Sequence, residues 1–463
     1  MRIWKIFLFL IICTACKQTF KKEVLSGTLK VPANREKLDS PTMSLAYKVL
    51  KAKNIDSLKS PIVYLQGGPG GPTLIMENFW KNHPLRNDRD IILMDQRGTG
   101  LSEAICIESG EDAISILRKN LNKEEEFLAL NKLMEDCKNS LAQKEIDFAK
   151  FTSKEIAADF EDLRKKLGYA TWNLFGGSYG SRLGLTIMRD YPNSVKSAVL
   201  FSVFAPENNL LTDLGKNFED SLFATLERCK NNKACSVRFP DLKLRLLTVL
   251  RELENDPLTI FFEEEEFILN ARDAAFLIKM MLYDRSSIGS IPKFIEALED
   301  RNSEPILEKL SDIIPLYRTI NLAMSYSVIV NEELPFTDKN EVDTFFKTKS
   351  NLGNEYYPFD LNSLEKWHPF RAPTMENEPV ISQIPTLMVS GDLDPVTPVR
   401  YAKEVLKNLE NGYGVIFPDD SHSLFNSCFF QMTEDFYNDP TLKPNSECSS
   451  IRKPIEWNLS PSL

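Results

Sequence analysis

A serine flanked by glycines is the residue of this chain best placed to do chemistry. Gly176-Gly177-Ser178-Tyr179-Gly180 has the pattern G-x-S-x-G. Its glycines permit a sharp turn from strand to helix that leaves the serine hydroxyl exposed. The N-terminus of the following helix favours negative charge developing beside it. A serine also needs a base, and the chain holds only three histidines: His83, His368 and His422. In a nucleophile elbow of this kind the order along the chain is serine, acid, histidine. His83 comes before the serine. His368 lies in a largely helical stretch, in Trp367-His368-Pro369, whereas His422 follows the last strand-like run, in Asp419-Asp420-Ser421-His422-Ser423, and is the expected base. The acid belongs in a loop upstream of it, where Asp392 and Asp394 both stand. That carboxylate would hold the imidazole in one tautomer and stabilise the imidazolium. Gly67-Gly68-Pro69-Gly70-Gly71 follows an early apolar run, where an oxyanion-binding loop belongs. The expected donors are the backbone N–H groups of Gly68 and of Tyr179, the residue after the nucleophile. No Gly-Lys-Ser/Thr ending follows the loop, which speaks against phosphate binding.

Elements must carry these residues to one place. Residues 27–31 and 44–51 read as short strands. Residues 61–65 and 90–94 are apolar runs that end in glycine-rich turns, as buried parallel strands do. Thr152 and Glu155 form the pattern of a capping box ahead of Ile156, Phe160, Leu163 and Leu167 at helical spacing, and Gly168 ends that helix. Residues 171–175, 195–201, 384–390 and 415–417 are further strands. The alternation predicts an α/β fold, a mostly parallel sheet with helices on both faces. Between about 206 and 375 helical periodicity dominates, and the charged run Glu263 to Glu266 reads as a solvated turn. The expected organisation is a core in two parts, 22–205 and 376–451, with a mainly helical cap inserted between them at 206–375.

The 463 residues suffice for such a domain with its insertion, and a net charge of −10 without a basic stripe argues against a nucleic-acid partner. Residues 1–16 differ in kind. Arg2 and Lys5 precede an apolar run, 6–12, and Cys13-Thr14-Ala15-Cys16 follows it. This is the layout of a bacterial signal peptide, and the run is too short to span a bilayer. A cysteine after small residues resembles a lipobox, although Cys13 stands where leucine is usual. Cys16 is therefore the expected lipidation site, and a lipid is the expected attachment to a membrane. Export puts the remaining six cysteines in an oxidising compartment. They fall into neighbouring pairs, Cys106 and Cys137, Cys229 and Cys235, Cys428 and Cys448. Fifteen pairings are formally open, and the neighbouring ones are expected.

Four stretches together carry a resemblance. They are Leu65-Gln66-Gly67-Gly68-Pro69-Gly70-Gly71-Pro72, Asp95-Gln96-Arg97-Gly98-Thr99-Gly100-Leu101-Ser102, the elbow, and Gly391-Asp392-Leu393-Asp394-Pro395-Val396-Thr397-Pro398. In combination they resemble the proline iminopeptidase and tripeptidyl aminopeptidase family of α/β-hydrolases, over roughly residues 61–448. The resemblance implies an α/β-hydrolase fold with a helical cap and an acyl-enzyme on Ser178. It implies that Asp394, not Asp392, is the acid, and it implies a peptide substrate with a free N-terminus. The family's acidic cap residues bind the substrate amino group. That motif corresponds to Ser327-Val328-Ile329-Val330-Asn331-Glu332-Glu333, which makes Glu332, with its neighbour Glu333, the implied amine ligand. Two departures stand out. Gln66 replaces the histidine usual in the iminopeptidase branch, which tilts the match to the tripeptidyl branch. Two cap cysteines of the family are absent together, as a lost disulfide would leave them. Neither cofactor nor metal is required by this chemistry. An esterase is the alternative on the same fold. A catalytically silent surface binding protein is the third reading, against which the intact serine, acid and histidine speak.

Overall fold

The computed structural model describes residues 23–460 apart from 55–57, 104, 105, 107, 108, 143–145, 349–351, 353–359, 368 and 452. The signal-like segment, with Cys16, and His368 lie outside the described residues.

Eight strands form one sheet. They are β1 (Val24–Pro32), β2 (Thr42–Leu50), β3 (Lys59–Leu65), β4 (Arg89–Met94), β5 (Trp172–Ser178), β6 (Val195–Val203), β9 (Thr386–Gly391) and β10 (Gly412–Phe417), in the order β1-β2-β4-β3-β5-β6-β9-β10. The pairings β1–β2 and β2–β4 are antiparallel; from β4 to β10 every pairing is parallel. The expected strands are all present, and all but β9 are longer than their apolar runs, because pairing recruits flanking residues that hydrophobicity does not mark; β9 starts two residues later than its run and ends one later. Alternate residues of β3 and β4 show why these runs are unbroken. Val63, Leu65, Ile92 and Met94 join the core on one face, and Ile62, Tyr64, Ile91 and Leu93 join that on the other. A strand covered on both faces needs apolar residues at every position.

The helix Ser153–Leu167 begins and ends where expected. Thr152 accepts a hydrogen bond from the Glu155 N–H at 3.2 Å, and Gly168 closes the helix in the left-handed conformation. The capping box is only half made, because the Glu155 carboxylate binds Arg35 at 2.8 Å instead. This helix and Tyr179–Asp190 cover one face of the sheet, and Ser427–Asn438 covers the other.

Among the described residues between β6 and β9 the regular elements are helices, apart from one hairpin, β7 (Leu258–Phe262) and β8 (Glu265–Leu269). The acidic run is therefore only partly a turn. Glu263 and Glu264 make it, both at positive φ, while Glu265 and Glu266 belong to β8. The helices of this stretch pack in two ways. Those from Leu210 to Tyr317 surround a core of their own, with Phe218, Leu246, Ile278 and Ile295 at its centre. The helix Leu322–Glu332 instead buries Ala323, Met324, Val328 and Val330 in the core beside the sheet.

Candidate active site

Ser178 ends β5 and caps the helix Tyr179–Asp190 with φ 55° and ψ −130°. A side chain held there costs on the order of 1–3 kcal/mol and persists only where its surroundings impose it. The flanking glycines show the imposition. A Cβ on Gly176 would lie 2.4 Å from the Gly180 carbonyl oxygen, and one on Gly180 would lie 2.0 Å from that of Leu65. The turn is that tight because helix and strands meet backbone to backbone. Ser181 donates to the Ser178 carbonyl at 2.6 Å and accepts from the Phe204 N–H at 2.8 Å, which joins the elbow to the end of β6.

All parallel strands end on the same edge of the sheet, so the loops after β5, β9 and β10 bring Ser178, Asp394 and His422 to one side. His422 Nδ1 lies 2.8 Å from Asp394 Oδ2 and 3.0 Å from Oδ1. Asp394 is buried and accepts from the N–H groups of Val396 and Thr397, both at 2.8 Å, and from the Thr397 hydroxyl at 2.6 Å. Burial pushes its pKa up, but the His422 charge and these bonds outweigh it and hold the carboxyl below its usual value. Asp392 does different work. Its carboxylate pairs with Arg228 at 2.7 Å and accepts from the Asp419 N–H at 2.8 Å. Between the two acids, Leu393 is buried in the core of the insertion. The alternation along the loop thus sends one carboxylate outward and one to the histidine.

The glycine-rich loop lies against the serine. A Cβ on Gly67 would stand 3.1 Å from Ser178 Cβ and 3.7 Å from Oγ. Gly68 follows directly at φ 126°. Tyr179 opens its helix, where backbone N–H groups lack intrahelical partners. Asp95 fixes the loop, although the sequence assigns it no role. Its Oδ1 accepts from the N–H groups of Thr73 and Leu74 at 2.6 and 2.8 Å, and its Oδ2 from Leu101 at 2.8 Å. Gln96 donates to the Gln66 carbonyl at 3.0 Å, and Arg97 makes two 2.8 Å bonds to Asp159. The Asp-Gln-Arg motif therefore ties the loop to the sheet and to the helix Ser153–Leu167.

Glu332 and Glu333 are buried, each 2% exposed. The structure gives them a protein cation for a partner, Arg182, one turn beyond Ser178 on the elbow helix. Glu332 lies 3.1 Å from Arg182 Nε and accepts from the Ser153 N–H at 2.5 Å and hydroxyl at 2.8 Å. Tyr179 in turn has its hydroxyl 3.0 Å from Ser153 Oγ. Glu333 binds Arg182 and accepts from the Leu210 N–H at 2.8 Å. Burial raises both carboxyls, that of Glu333 to about 7, against the pull of Arg182. Glu207, in the loop after β6, is a third carboxyl there. One of its oxygens is buried without a hydrogen bond, and burial raises its pKa while Arg182 lowers it.

Of the remaining histidines, His83 is structural. It accepts from the Leu85 N–H at 3.2 Å, packs 4.3 Å from the Phe430 ring, and burial pushes its pKa down to about 4. Thr397 and Asp95 lie inside the stretches that carry the resemblance; Arg182 was given no role by the sequence, and its one signal is a charge four residues past the serine. The neighbours Ser202 and Tyr283 carried no signal, since only folding brings them to His422.

An elbow serine and an acid–histidine pair at the ends of parallel strands define an α/β-hydrolase. The family described as alpha/beta hydrolase fold matches residues 60–426, and the chain belongs to it. Among its relatives is YuaR of Escherichia coli (strain K12), named as a hydrolase, 28% identical over 331 residues, with 64% of this chain and 62% of that protein covered. Another is the proline iminopeptidase of Neisseria gonorrhoeae, 27% identical over 146 residues, with 31% of this chain and 33% of that protein covered. The resemblance to iminopeptidase-type α/β-hydrolases is thus borne out, although the chain matches less than two thirds of either relative. Of solved structures, an esterase from Exiguobacterium antarcticum aligns with 88% of this chain and 97% of its own at 13% identity and a TM-score of 0.38.

Proposed function

We propose that this protein is an exported serine aminopeptidase that cleaves peptides from a free N-terminus. Ser178 attacks the scissile carbonyl while His422 takes its proton, and Asp394 stabilises the imidazolium. The N–H groups of Gly68 and Tyr179 receive the developing oxyanion. The imidazolium protonates the leaving amine, and water then repeats the sequence on the acyl-enzyme. Distant proline iminopeptidase relatives support the reading. The observation that carries it is the charge balance behind the elbow. Three buried or half-buried carboxyls, Glu207, Glu332 and Glu333, face one guanidinium, that of Arg182. Buried carboxylates in excess either bind protons or bind a cation, and a peptide ammonium supplies one through charge-assisted hydrogen bonds. Glu332 and Glu333 are then held in place by Arg182 rather than left open, and Glu207 offers the free oxygen. Export rests on the signal-like start, with Cys16 as the lipid-bearing residue.

The test is a substrate panel of free and N-acetylated peptides beside simple esters. Free peptides should be cleaved and their acetylated forms should be poor substrates. Glu332→Gln, Glu333→Gln and Glu207→Gln should each lower kcat/KM on peptides more than on a small ester. Efficient cleavage of N-blocked peptides by the unaltered protein would favour an esterase or general hydrolase.

A further inference from the structure

His422 is held from two sides, and one of them is the inserted segment. On the sheet side, Ser202 near the end of β6 donates its hydroxyl to the His422 carbonyl at 2.6 Å. The neighbouring residue of β6, Val203, is the register partner of Ser178. On the other side lies the C-terminal end of the helix Ala271–Leu282. The Ser421 hydroxyl donates to the Leu282 carbonyl, and the Ser423 N–H donates to the Tyr283 carbonyl at 2.8 Å. The two residues flanking His422 are thus both bonded to this helix end. The Tyr283 ring itself rests on the imidazole, with centroids 4.7 Å apart and planes inclined at 59°. Just beyond, Arg285 donates to the Asp419 carbonyl, so the hold extends to the start of the loop.

We infer that Tyr283 is a positioning residue for the catalytic base, so that the insertion completes the acid–histidine arrangement as well as covering it. The imidazole has three restraints of different kind. Asp394 fixes Nδ1, Ser202 fixes the backbone, and Tyr283 fixes the tilt of the ring. Removing the ring leaves rotation about the Cβ–Cγ bond limited only at Nδ1, by Asp394 and by the Thr397 hydroxyl 3.2 Å away. A base displaced by about 1 Å loses on the order of 10²-fold in rate. A cap that only selected substrates would contribute nothing to the hydrolysis of a small activated ester. A cap that positions the base contributes to every substrate.

The experiment uses the full chain with p-nitrophenyl acetate as the probe, so that it is independent of peptide specificity. Tyr283→Leu keeps most of the apolar volume, and Tyr283→Phe keeps the ring. Tyr283→Leu should lower kcat by roughly 10-fold or more with KM nearly unchanged, and should slow fluorophosphonate labelling of Ser178 by a similar factor. Tyr283→Phe should restore both. A folded Tyr283→Leu protein with normal kcat and labelling overturns the inference. Equal impairment of Tyr283→Phe also does, since the hydroxyl and not the ring would then matter. If Tyr283→Leu melts at room temperature, Tyr283→Met, which also fills the space without a ring, takes its place: a fall in kcat at unchanged KM supports the inference, and an unchanged kcat overturns it.

Discussion

At the scale of single residues, the loop after β9 separates two aspartates by what each touches. Asp394 is buried against His422, while Asp392 pairs with Arg228, both side chains about 30% exposed. The two should therefore behave oppositely. Ser178→Ala, His422→Ala and Asp394→Asn should each reduce turnover by roughly 10⁴-fold. Asp392→Asn should leave kcat near normal and cost at most about 1 kcal/mol, because a half-exposed pair is screened by solvent. Steady-state kinetics and thermal melts of the four variants check this. A large loss of kcat in Asp392→Asn alone would move the acid to that position.

Elements decide how the residues are presented. The elbow exists because Gly180 lets its helix approach β3, with no room for a Cβ beside the Leu65 carbonyl. Gly180→Ala should give little folded protein, read as loss of soluble yield and of fluorophosphonate labelling together. The helix Leu322–Glu332 touches both sides of this turn. Its first turn meets the glycine-rich loop, where Asn321 N–H donates to the Gly70 carbonyl at 3.0 Å, and its last meets Arg182 and Ser153. Burial raises the Glu333 carboxyl to about 7 from an ordinary value near 4.5. A carboxyl with a raised folded-state pKa binds its proton more tightly when folded. Its contribution to stability is complete below about 4.5 and is lost as pH rises through about 7. The melting temperature should therefore fall between pH 5 and pH 7.5 more in the unaltered protein than in Glu333→Gln. An identical pH dependence of the two would show that Glu333 does not titrate there.

For the whole molecule, three disulfides among the described residues each lie beside a different buried cluster. Cys106–Cys137, Cys229–Cys235 and Cys428–Cys448 have Cα separations of 5.6, 5.2 and 5.8 Å, within the range a disulfide spans. Non-reducing peptide mapping should find these pairs and no others. Losing Cys428–Cys448 by a double serine substitution should cost roughly 2–4 kcal/mol, read as a lower denaturant midpoint. Their formation requires an oxidising compartment, which the signal-like start supplies in our reading. Cys16→Ser should accordingly shift the protein from membranes to a soluble fraction, and a mature N-terminus without lipid on Cys16 would rule the anchor out.

Sequence alone was enough for the strands and for the turn at the elbow, and it singled out His422 as the candidate base and the three cysteine pairs. Those features are local, or are limited by how few histidines and cysteines exist. A buried parallel strand declares itself by an unbroken apolar run, and a strained turn by the glycines it cannot do without. The choice of Asp394 needed a resemblance first and the fold second, since both aspartates share one loop and only burial separates them. The partner of Glu332 and Glu333 was decided by tertiary structure: Arg182 lies 150 and 151 positions away along the chain, and no spacing rule connects them. The same holds for Tyr283 and Ser202 around His422, which hydrogen bonding across three separate segments assembles. Long-range contacts of this kind carry no periodic signal, because each residue satisfies its local pattern equally well whether or not its distant partner is present.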